Sequence, residues 1–329
     1  MKKRIISAVM AVTTLFSLFT LSGCGKQQNN PPASGGNTSQ SSSKPEGKKF
    51  VVGYATKRWS GSEHWLNVKE GMDEAVPDDV ELIFYDAEGD LDTQVQQLET
   101  LIAQGVDGII CAPRDPDGVV PAFEQIREAG IALVTLDCSS SSPELEDTCV
   151  KMNYGMTGQL CAENLLKAIN YKGKVIVMYD FPNVEANERA NGFKDVCAQY
   201  PDVELVEIDA FGTVDVSLMK LEAALTANPD TVAVWSYNTA GEQAAVSLNE
   251  SMGLDLVITC VDCTSVEVEN IREGLILGGA AQFPKAMGAA AIETMYEVLN
   301  GKTFDGNVLL DTEWVDASNV EEFAKANSL

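Results

Sequence analysis

The chain has 329 residues, of which 49 are Asp or Glu and 23 are Lys or Arg, so its formal net charge at pH 7 is -26. Such an acidic balance argues against nucleic acid as a partner and against broad contact with anionic lipid, because like charges repel. The length is generous for one hydrophobic core, and two lobes are the natural expectation.

The first predicted element is a secretory signal. Residues 1–4 (MKKR) are basic, and the apolar segment from 5 to 21 is typical of a signal core rather than of a spanning helix. The segment runs into LSGC, which ends at Cys24 and resembles the bacterial lipoprotein cleavage motif. In that motif the cysteine becomes the lipid-bearing first residue. We therefore expect residues 1–23 to be removed and Cys24 to carry more than one acyl chain, which stable anchoring requires.

The segment 24–49 is predicted to be a lipid-anchored disordered linker. It consists almost wholly of Gln, Asn, Pro, Ser, Gly and Lys, a composition that cannot bury enough apolar surface to fold. As a random coil its ends lie roughly 25–30 Å apart, which lifts a domain clear of the lipid headgroups. The globular part is expected to begin at about Phe50.

From Phe50 onward, short apolar runs alternate with stretches of helical spacing. The predicted strands of the first half are 49–55, 80–86, 105–113, 132–136 and 148–152, and the predicted helices are 64–76, 92–104 and 116–129. A strand, a covering helix and a second strand form a right-handed unit with parallel strands. Asp137 directly follows the strand 132–136, at the sheet edge where open parallel sheets bind ligands. We interpret it as a ligand-facing carboxylate.

The same alternation starts again after residue 152. Predicted helices cover 154–169 and 186–200, further helices are centred on Leu221, Ala245, Val268 and Ala290, and the predicted strands are 174–179, 203–208, 231–235, 256–261, 277–281 and 308–314. This order indicates an α/β fold with parallel sheets. Because the two halves repeat one element order, we predict two separate sheets with a ligand cleft between them.

The remaining cysteines and the only histidine suggest no cofactor. Seven cysteines follow Cys24, so at least one thiol is free, and Cys138 with Cys149, which bracket a serine-rich loop, is the first pair to test for a disulfide. His64 has no metal-ligand spacing around it, so we predict neither a metal site nor any other cofactor.

Five stretches carry a family resemblance when they are taken together and in this order. They are QGVDGII at 104–110, VTLD at 134–137, NERANGF at 187–193, ANPD at 227–230 and AQFP at 281–284. The chain from about 50 to 315 resembles the ribose/galactose class of bacterial solute-binding proteins. The resemblance implies the type I periplasmic binding protein fold, in which two Rossmann-like lobes with parallel sheets are joined by a three-strand hinge.

The resemblance also implies lobes that are discontinuous in the chain. We expect the N-terminal lobe to comprise 50–152 plus 283–310, and the C-terminal lobe 153–282 plus 311–329.

Nine ligand contacts follow from the resemblance, position by position. They are Ser62, His64, Trp65, Asp137, Asn187, Phe211, Asn238, Asp262 and Gln282. Their chemistry suits a hydroxylated ligand, because amides both donate and accept, and carboxylates give charge-assisted acceptors. Trp65, with Trp235 or Tyr237 opposite, can cover the apolar faces of a ring.

Two positions depart from the ribose pattern. Cys138 stands where that branch has an arginine after the strand-end aspartate, and Asn187 stands where it has an arginine in the second lobe. The aspartates thus lose their expected cationic neighbours. Either Lys57, Arg58 or Arg114 reaches in, or the ligand itself brings donors or a positive charge.

The function that the resemblance implies is that of an extracytoplasmic solute-binding lipoprotein, lipid-anchored at the cell surface or in the periplasm. We expect a monomer that captures a monosaccharide or polyol by hinge closure and delivers it to the membrane subunits of an ABC importer. A cationic or aromatic small molecule is the second ligand class. A sensor that presents the loaded form to a membrane signalling protein stays open, since it needs the same closure. Without a catalytic motif, an enzyme with Asp137 and Asp262 as acid and base is not expected.

Overall fold

The structure, a computed structural model, describes residues 50–60, 62–210, 213–327 and 329. The predicted signal, the linker with Cys24, and Phe211 lie outside these residues. None of the helices in the described ranges combines the length and the apolar character that a bilayer-spanning helix needs.

The first half of the described chain alternates strand and helix as predicted. Its elements are β1 (Phe50–Thr56), α1 (Glu63–Ala75), β2 (Val80–Asp86), α2 (Leu91–Gln104), β3 (Gly108–Cys111), α3 (Val120–Glu128), β4 (Ala132–Leu136) and β5 (Thr148–Met152). Helix α3 begins later than the predicted residue 116. The reason is a turn in which Asp115 Oδ1 accepts hydrogen bonds from the backbone N–H groups of Asp117 and Gly118, at 3.0 and 2.8 Å.

The second half repeats the alternation and ends in two short strands and a helix. Its elements are α4 (Tyr154–Ala168), β6 (Gly173–Tyr179), α5 (Val184–Cys197), β7 (Val203–Asp209), α6 (Val214–Ala227), β8 (Thr231–Ser236), α7 (Thr239–Ser251), β9 (Val257–Val261), α8 (Ser265–Glu273), β10 (Gly278–Ala281), α9 (Pro284–Leu299), β11 (Val308–Leu310), β12 (Glu313–Asp316) and α10 (Val320–Asn327). The single strand expected over 308–314 is wrong. Two strands lie there, in different sheets, because the chain crosses between the lobes at residues 311 and 312. Helix α10 was not predicted.

The strands form two six-stranded sheets with the same internal order. The first runs β11-β5-β4-β3-β1-β2 and the second β12-β10-β9-β8-β6-β7. Every pairing is parallel except that of β10 with β12. The prediction of two pseudo-repeated parallel sheets is therefore confirmed.

Apolar side chains fill both faces of each sheet. In the first sheet, Val52 and Ile110 pack on the side of α9, whereas Ala55 and Ile109 pack on the opposite side with Phe123 of α3. Adjacent strand residues point to opposite faces, and helices cover both, which is why these strands are apolar throughout. The chain passes between the sheets after β5, after β10 and between β11 and β12. These passages form the three-strand hinge.

One helix pair in each lobe is packed so closely that only glycine fits. A Cβ atom on Gly158 of α4 would lie 1.9 Å from the carbonyl oxygen of Arg189 in α5, and one on Gly192 of α5 would lie 2.0 Å from a carbonyl of α4. Gly71 and Gly288 do the same between α1 and α9, at 2.0 and 1.9 Å from the nearest carbonyl oxygens. Because backbone cannot move aside as a flexible side chain can, these glycines fix the spacing of the helices.

We predict that Gly158→Ala lowers the free energy of unfolding by about 1–3 kcal/mol, because the added methyl group pushes α4 away from α5. Urea denaturation measures the change. Gly155→Ala, in the same helix, is the matched control: the nearest atom to its new Cβ, among the described residues, is 4.0 Å away. The control should gain about 0.5–1 kcal/mol from the helix propensity of alanine. Equal effects of the two substitutions would contradict the prediction.

Candidate ligand-binding cleft

Two aspartates occupy equivalent places in the two sheets. Asp137 follows β4 and Asp262 follows β9, and both have left-handed backbone, with φ of 75° and 83°. Each backbone N–H donates to a carbonyl of the neighbouring strand, Asp137 to Val150 at 2.9 Å and Asp262 to Ala280 at 3.1 Å. A left-handed conformation costs a residue other than glycine of the order of 1–3 kcal/mol, and such residues cluster at functional sites. The same costly turn thus presents one carboxylate from each lobe.

Both carboxylates line one cavity of about 840 Å³, which we name the aspartate chamber. Residues from both lobes form its wall. Five of the nine predicted contacts are among them: His64, Trp65, Asp137, Asp262 and Gln282. The structure therefore brings these five side chains together, while their contact with a ligand stays a prediction.

The carboxylate of Asp137 is held by a cation and a phenol. It is only 8% exposed, and it accepts hydrogen bonds from Lys57 Nζ at 2.7 Å and from the hydroxyl of Tyr154. Burial alone would raise the pKa of Asp137, but the Lys57 ammonium and these hydrogen bonds hold that pKa well below its usual range. Of the three cations considered from the sequence, Lys57 is the one that reaches Asp137. The carboxylate is therefore ionised at neutral pH.

Lys57 also joins the two lobes. Its ammonium lies 3.6 Å from Glu185 Oε1, in the first turn of α5, and 5.1 Å from the centre of the Trp65 ring. Burial by itself would lower the pKa of Lys57, yet the charges of Asp137 and Glu185 raise it. Lys57 is therefore a cation, and it lies between the carboxylate of Asp137 in the first lobe and that of Glu185 in the second.

A hydrogen-bond network from the second lobe holds Asp262. The side-chain amide of Gln282 donates to Asp262 Oδ1, and the Gln282 carbonyl accepts from Arg189 Nη2 at 3.2 Å. Arg189 also donates to the backbone carbonyl of Tyr237 at 2.8 Å, and its guanidinium lies 4.7 Å from the centre of the Tyr154 ring. Both Asp262 and Gln282 are therefore fixed in orientation before any ligand arrives.

The start of α1 supplies an aromatic wall. Ser62 caps this helix, since its Oγ accepts from the backbone N–H of Trp65 at 3.5 Å. The rings of His64 and Trp65 lie 5.2 Å apart, and Trp65 is almost fully buried. Burial in the cleft lowers the pKa of His64, although the charges of Asp137 and Asp262 oppose the shift. A neutral imidazole offers a ligand one donor and one acceptor.

Residues 52–303 match the family described as the periplasmic binding protein domain. The chain belongs to this family. Membership implies an extracytoplasmic location and agrees with the two-lobed fold.

Two relatives and two solved structures illustrate the similarity of this periplasmic binding protein domain to others. It is 27% identical to the ribose import binding protein RbsB of Bacillus subtilis, over 90% of this chain and 94% of that one. It is 24% identical to the Escherichia coli protein of the same name, over 71% and 79%. A solute-binding protein from Bacillus halodurans, solved with bound myo-inositol, has a TM-score of 0.77 at 23% identity over 86% of this chain and 99% of that one. One from Actinobacillus succinogenes, with bound D-allose, has a TM-score of 0.76 at 26% identity over 83% and 100%.

Two predicted contacts use their amides inside the second lobe of this binding protein. Asn187 Nδ2 donates to the backbone carbonyls of Phe181 and Asn183, both at 2.7 Å. Asn238 Oδ1 accepts from the backbone N–H of Gly241 at 3.0 Å and caps α7. Neither residue lines the aspartate chamber, and their contact with a ligand stays a prediction, as does that of Phe211.

The sequence reasoning singled out neither Tyr154 nor Glu185, and from its place near a predicted helix start it favoured a structural ion pair for Arg189 over a ligand contact. All three residues, Arg189, Tyr154 and Glu185, lie at the junction of the lobes. Trp235, which was predicted as a possible ring-covering partner of Trp65, is instead fully buried, and its ring stacks on that of Phe193 with the centroids 4.9 Å apart. The sequence signal that could have identified Arg189 as a cleft residue is an arginine within the first two turns of a helix that follows a strand. Helical spacing cannot tell which face of such a helix looks into a cleft.

The thiol at the cleft is unpaired. All seven described cysteines are buried and free, so Cys138 and Cys149 form no disulfide. Ligand atoms of Asp137, Cys138 and Glu185 lie within 4.8 Å of one another, a spacing that a metal ion can use. However, the Lys57 ammonium already lies 2.7 Å from Asp137 Oδ2 and 3.6 Å from Glu185 Oε1 and would repel a second cation, and burial raises the pKa of Cys138 well above its usual range. We therefore assign no metal to this cluster.

The second lobe, which contains Asp262, also contains two buried glutamates. Glu242 of α7 and Glu267 of α8 are both fully buried. Glu242 accepts from Asn270 at 2.6 Å and Glu267 from Thr264 Oγ1 at 2.6 Å, while one oxygen of each carboxylate has no partner among the described residues. Burial and, to a smaller extent, the nearby charge of Glu267 raise the pKa of Glu242 to about 7, although the hydrogen bond from Asn270 opposes the shift.

We predict a pH dependence of stability from Glu242. Between the ordinary glutamate pKa of about 4.3 and the value in the fold, the folded protein holds the proton that the unfolded chain releases. The free energy of unfolding should therefore fall as pH rises through this window. Urea titrations at pH 5 and pH 8 should show that Glu242→Gln makes this fall smaller, on the order of 1–3 kcal/mol.

The control for this prediction is Glu250→Gln, on the exposed face of the same helix. It should leave the difference between pH 5 and pH 8 as it is in the unaltered protein. A Glu242→Gln profile that matches that of Glu250→Gln would show that Glu242 ionises normally.

Proposed function

We propose that this protein is an extracytoplasmic solute-binding lipoprotein that captures a small polar ligand, a monosaccharide or polyol, and delivers it to the membrane subunits of an ABC importer. The observation that supports the proposal most directly is the placement of Asp137 and Asp262 on opposite sides of one cleft. They reach one cavity from equivalent strand ends of two sheets. A ligand that binds both carboxylates bridges the lobes. The proposal includes no catalytic step.

The chamber has the chemistry that a polyhydroxylated ring requires. Each hydroxyl both donates and accepts, so a dry pocket must offer groups of both kinds. Asp137 and Asp262 are charge-assisted acceptors, His64 and Gln282 supply neutral polar groups, and Trp65 can cover a C–H face. A ligand that lacks one hydroxyl leaves a buried group unpaired at about 1–3 kcal/mol, which makes such a site selective.

The charges favour a neutral ligand over a cationic one. Asp137 already pairs with Lys57 at 2.7 Å, and the charge of Asp262 helps to raise the pKa of Arg189 despite its burial. A positively charged ligand would therefore meet two cations, the partly buried Lys57 and the buried Arg189, as well as the two carboxylates. This charge balance supports a neutral monosaccharide or polyol as the ligand. A cationic ligand was the alternative, because Cys138 and Asn187 replace two arginines of the ribose pattern.

The relatives support the same ligand class. Two are named as ribose import binding proteins, and the structure that is 26% identical to this chain holds D-allose. Their names describe binding and import rather than turnover. They support delivery to an ABC importer as the task of this chain.

Hinge closure is the proposed mechanism of capture. The proposed lobes are 50–152 plus 283–310 and 153–282 plus 311–329. Ion pairs already cross between them, from Lys57 to Glu185 at 3.6 Å and from Lys151 to Glu188 at 2.8 Å. Because contacts from both lobes are complete only when the cleft is closed, the ligand shifts the equilibrium toward the closed form.

Membrane attachment completes the proposal. The N-terminal motif that ends at Cys24 supports lipidation of this cysteine, and the polar segment to residue 49 supports a linker that lets the lobes reach an importer.

Thermal and calorimetric binding experiments test the proposed function. A true ligand at 100 times its Kd should stabilise the protein by about 2.7 kcal/mol, so a panel of D-ribose, D-allose, myo-inositol and cationic amines should give a raised Tm with a neutral member. Asp262→Asn should then weaken that ligand about 10- to 100-fold, because a hydrogen bond to a charged group is lost.

Asp230→Asn is the matched control, since Asp230 is an exposed aspartate of the same lobe that pairs with Lys174 at 3.0 Å. It should leave affinity unchanged. The proposal fails if no neutral sugar or polyol raises the Tm, or if Asp262→Asn binds as tightly as Asp230→Asn.

A further inference from the structure

A second cavity adjoins the aspartate chamber. It has a volume of about 620 Å³ and contains Arg58 and Arg114 in its wall, so we name it the arginine chamber. Lys57 and Trp65 line both cavities, so these two side chains lie between the two spaces. Pockets of roughly 300–1,000 Å³ hold whole drug-sized ligands. Each chamber reaches that size alone, so together they offer more space than one monosaccharide fills.

The arginine chamber is charged but balanced. Its wall carries three cations and three carboxylates: Lys57, Arg58, Arg114, Asp115, Asp180 and Glu185. An anionic ligand would meet the carboxylates, and a cationic ligand would meet the ammonium and guanidinium groups. A neutral group that both donates and accepts hydrogen bonds can use both kinds of partner, and a hydroxyl is such a group.

Polar groups in this chamber still have hydrogen-bonding capacity. Asp180 is 8% exposed, and its Oδ1 has no partner among the described residues. Arg114 Nε donates to the carbonyl of Gly89 at 2.8 Å, and Arg58 Nη2 lies 3.5 Å from the carbonyl of Glu88. A guanidinium has five N–H donors, and within the described part of the chain each arginine uses one of them, which leaves donors for a ligand.

Apolar surface lies between these polar groups. Three prolines line the chamber, Pro113 and Pro116 from the first lobe and Pro182 from the second. Val184 also lines it and is 51% exposed. Together with Trp65 they form flat apolar patches of the kind that C–H faces of a sugar ring cover. The mixture of patches and hydrogen-bonding groups fits a ring better than an ion.

We propose that the arginine chamber is a second subsite for a neutral hydroxylated ring, so that the preferred ligand has two linked rings, as in a disaccharide or a glycoside. The first ring occupies the aspartate chamber, the linkage passes Lys57 and Trp65, and the second ring lies among Arg58, Arg114 and Asp180. This inference rests on the proposed function and extends it from the class of ligand to its size.

Calorimetric titration of the purified full chain tests the proposal. The probes are D-ribose, D-allose, D-glucose and D-galactose as single rings, and sucrose, trehalose, cellobiose and melibiose as two-ring molecules. The expected result is that at least one disaccharide has a Kd at least tenfold below that of every single-ring probe. Glucose 6-phosphate and D-glucuronate test for an anion, and either one binding more tightly than all the disaccharides would overturn the assignment of a neutral ring.

Substitutions locate the second ring. Asp180→Asn and Arg58→Gln should each weaken the best disaccharide at least fivefold while changing the best single-ring probe less than twofold. Asp195→Asn, an exposed aspartate in α5, is the matched control and should change neither. Asp262→Asn, in the aspartate chamber, should weaken both kinds of probe.

Failure of the inference is distinguishable from failure of the proposed function. If single rings bind and every disaccharide binds more weakly than its own component sugars, the second subsite is refuted and the proposed function stands. If Asp180→Asn and Arg58→Gln affect both kinds of probe equally, the second ring does not lie in the arginine chamber. If no sugar of either kind binds, the proposed function fails and the inference fails with it.

Discussion

The ion pair between Lys57 and Asp137 is the interaction on which the cleft depends. A carboxylate as buried as that of Asp137 is stable as an anion only when a cation and hydrogen bonds replace the water it has lost. Lys57 supplies the cation, and Tyr154, from the other side of the first chain crossing, supplies a hydrogen bond. Without them the group would take up a proton, and the chamber would lose a charge-assisted acceptor. The contact of Lys57 with Glu185 links this local balance to the second lobe.

The cleft also depends on a structural repeat, because both halves of the chain have the same arrangement of elements. The sheets have the same strand order, each ends a central strand in an aspartate with left-handed backbone, and each has one helix pair brought together by glycines. Equivalent strand ends of the two sheets therefore meet across a single gap. Neither half contains a complete site, because the carboxylates, Trp65 and Gln282 come from different lobes. Ligand binding and lobe closure are thus one event in the proposed mechanism.

Much of this architecture could be predicted from the sequence, since buried parallel strands are nearly continuous apolar runs and the helices between them have a regular period. The same logic identified Asp137, a charged residue directly after such a run. It did not divide the region 308–314, although the polar residues Asp311, Thr312 and Glu313 interrupt the apolar run where the chain crosses between the lobes. It also could not foresee that Cys138 and Cys149 form no disulfide in the structure.

The side chains of the second lobe were harder to predict. Asn187 was assigned by position within a resembling motif, but its amide is satisfied by carbonyls at the start of α5. Arg189, two residues after Asn187, donates a hydrogen bond to Gln282. Which of these two positions of α5 faces the cleft depends on where the helix begins. Trp235 is similar in type to a ring-covering residue, yet it lies in a strand whose two faces are both buried. Residue type alone therefore does not determine which side chains of the second lobe line the chamber.

The most direct test of the central claim is a crystal structure of the protein with the neutral sugar or polyol that raises its Tm most. The account predicts that one ligand molecule lies in the aspartate chamber, with ligand oxygens about 3 Å or less from the carboxylates of both Asp137 and Asp262. A ligand that contacts only one of the two aspartates, or that binds outside the gap between the sheets, would contradict it.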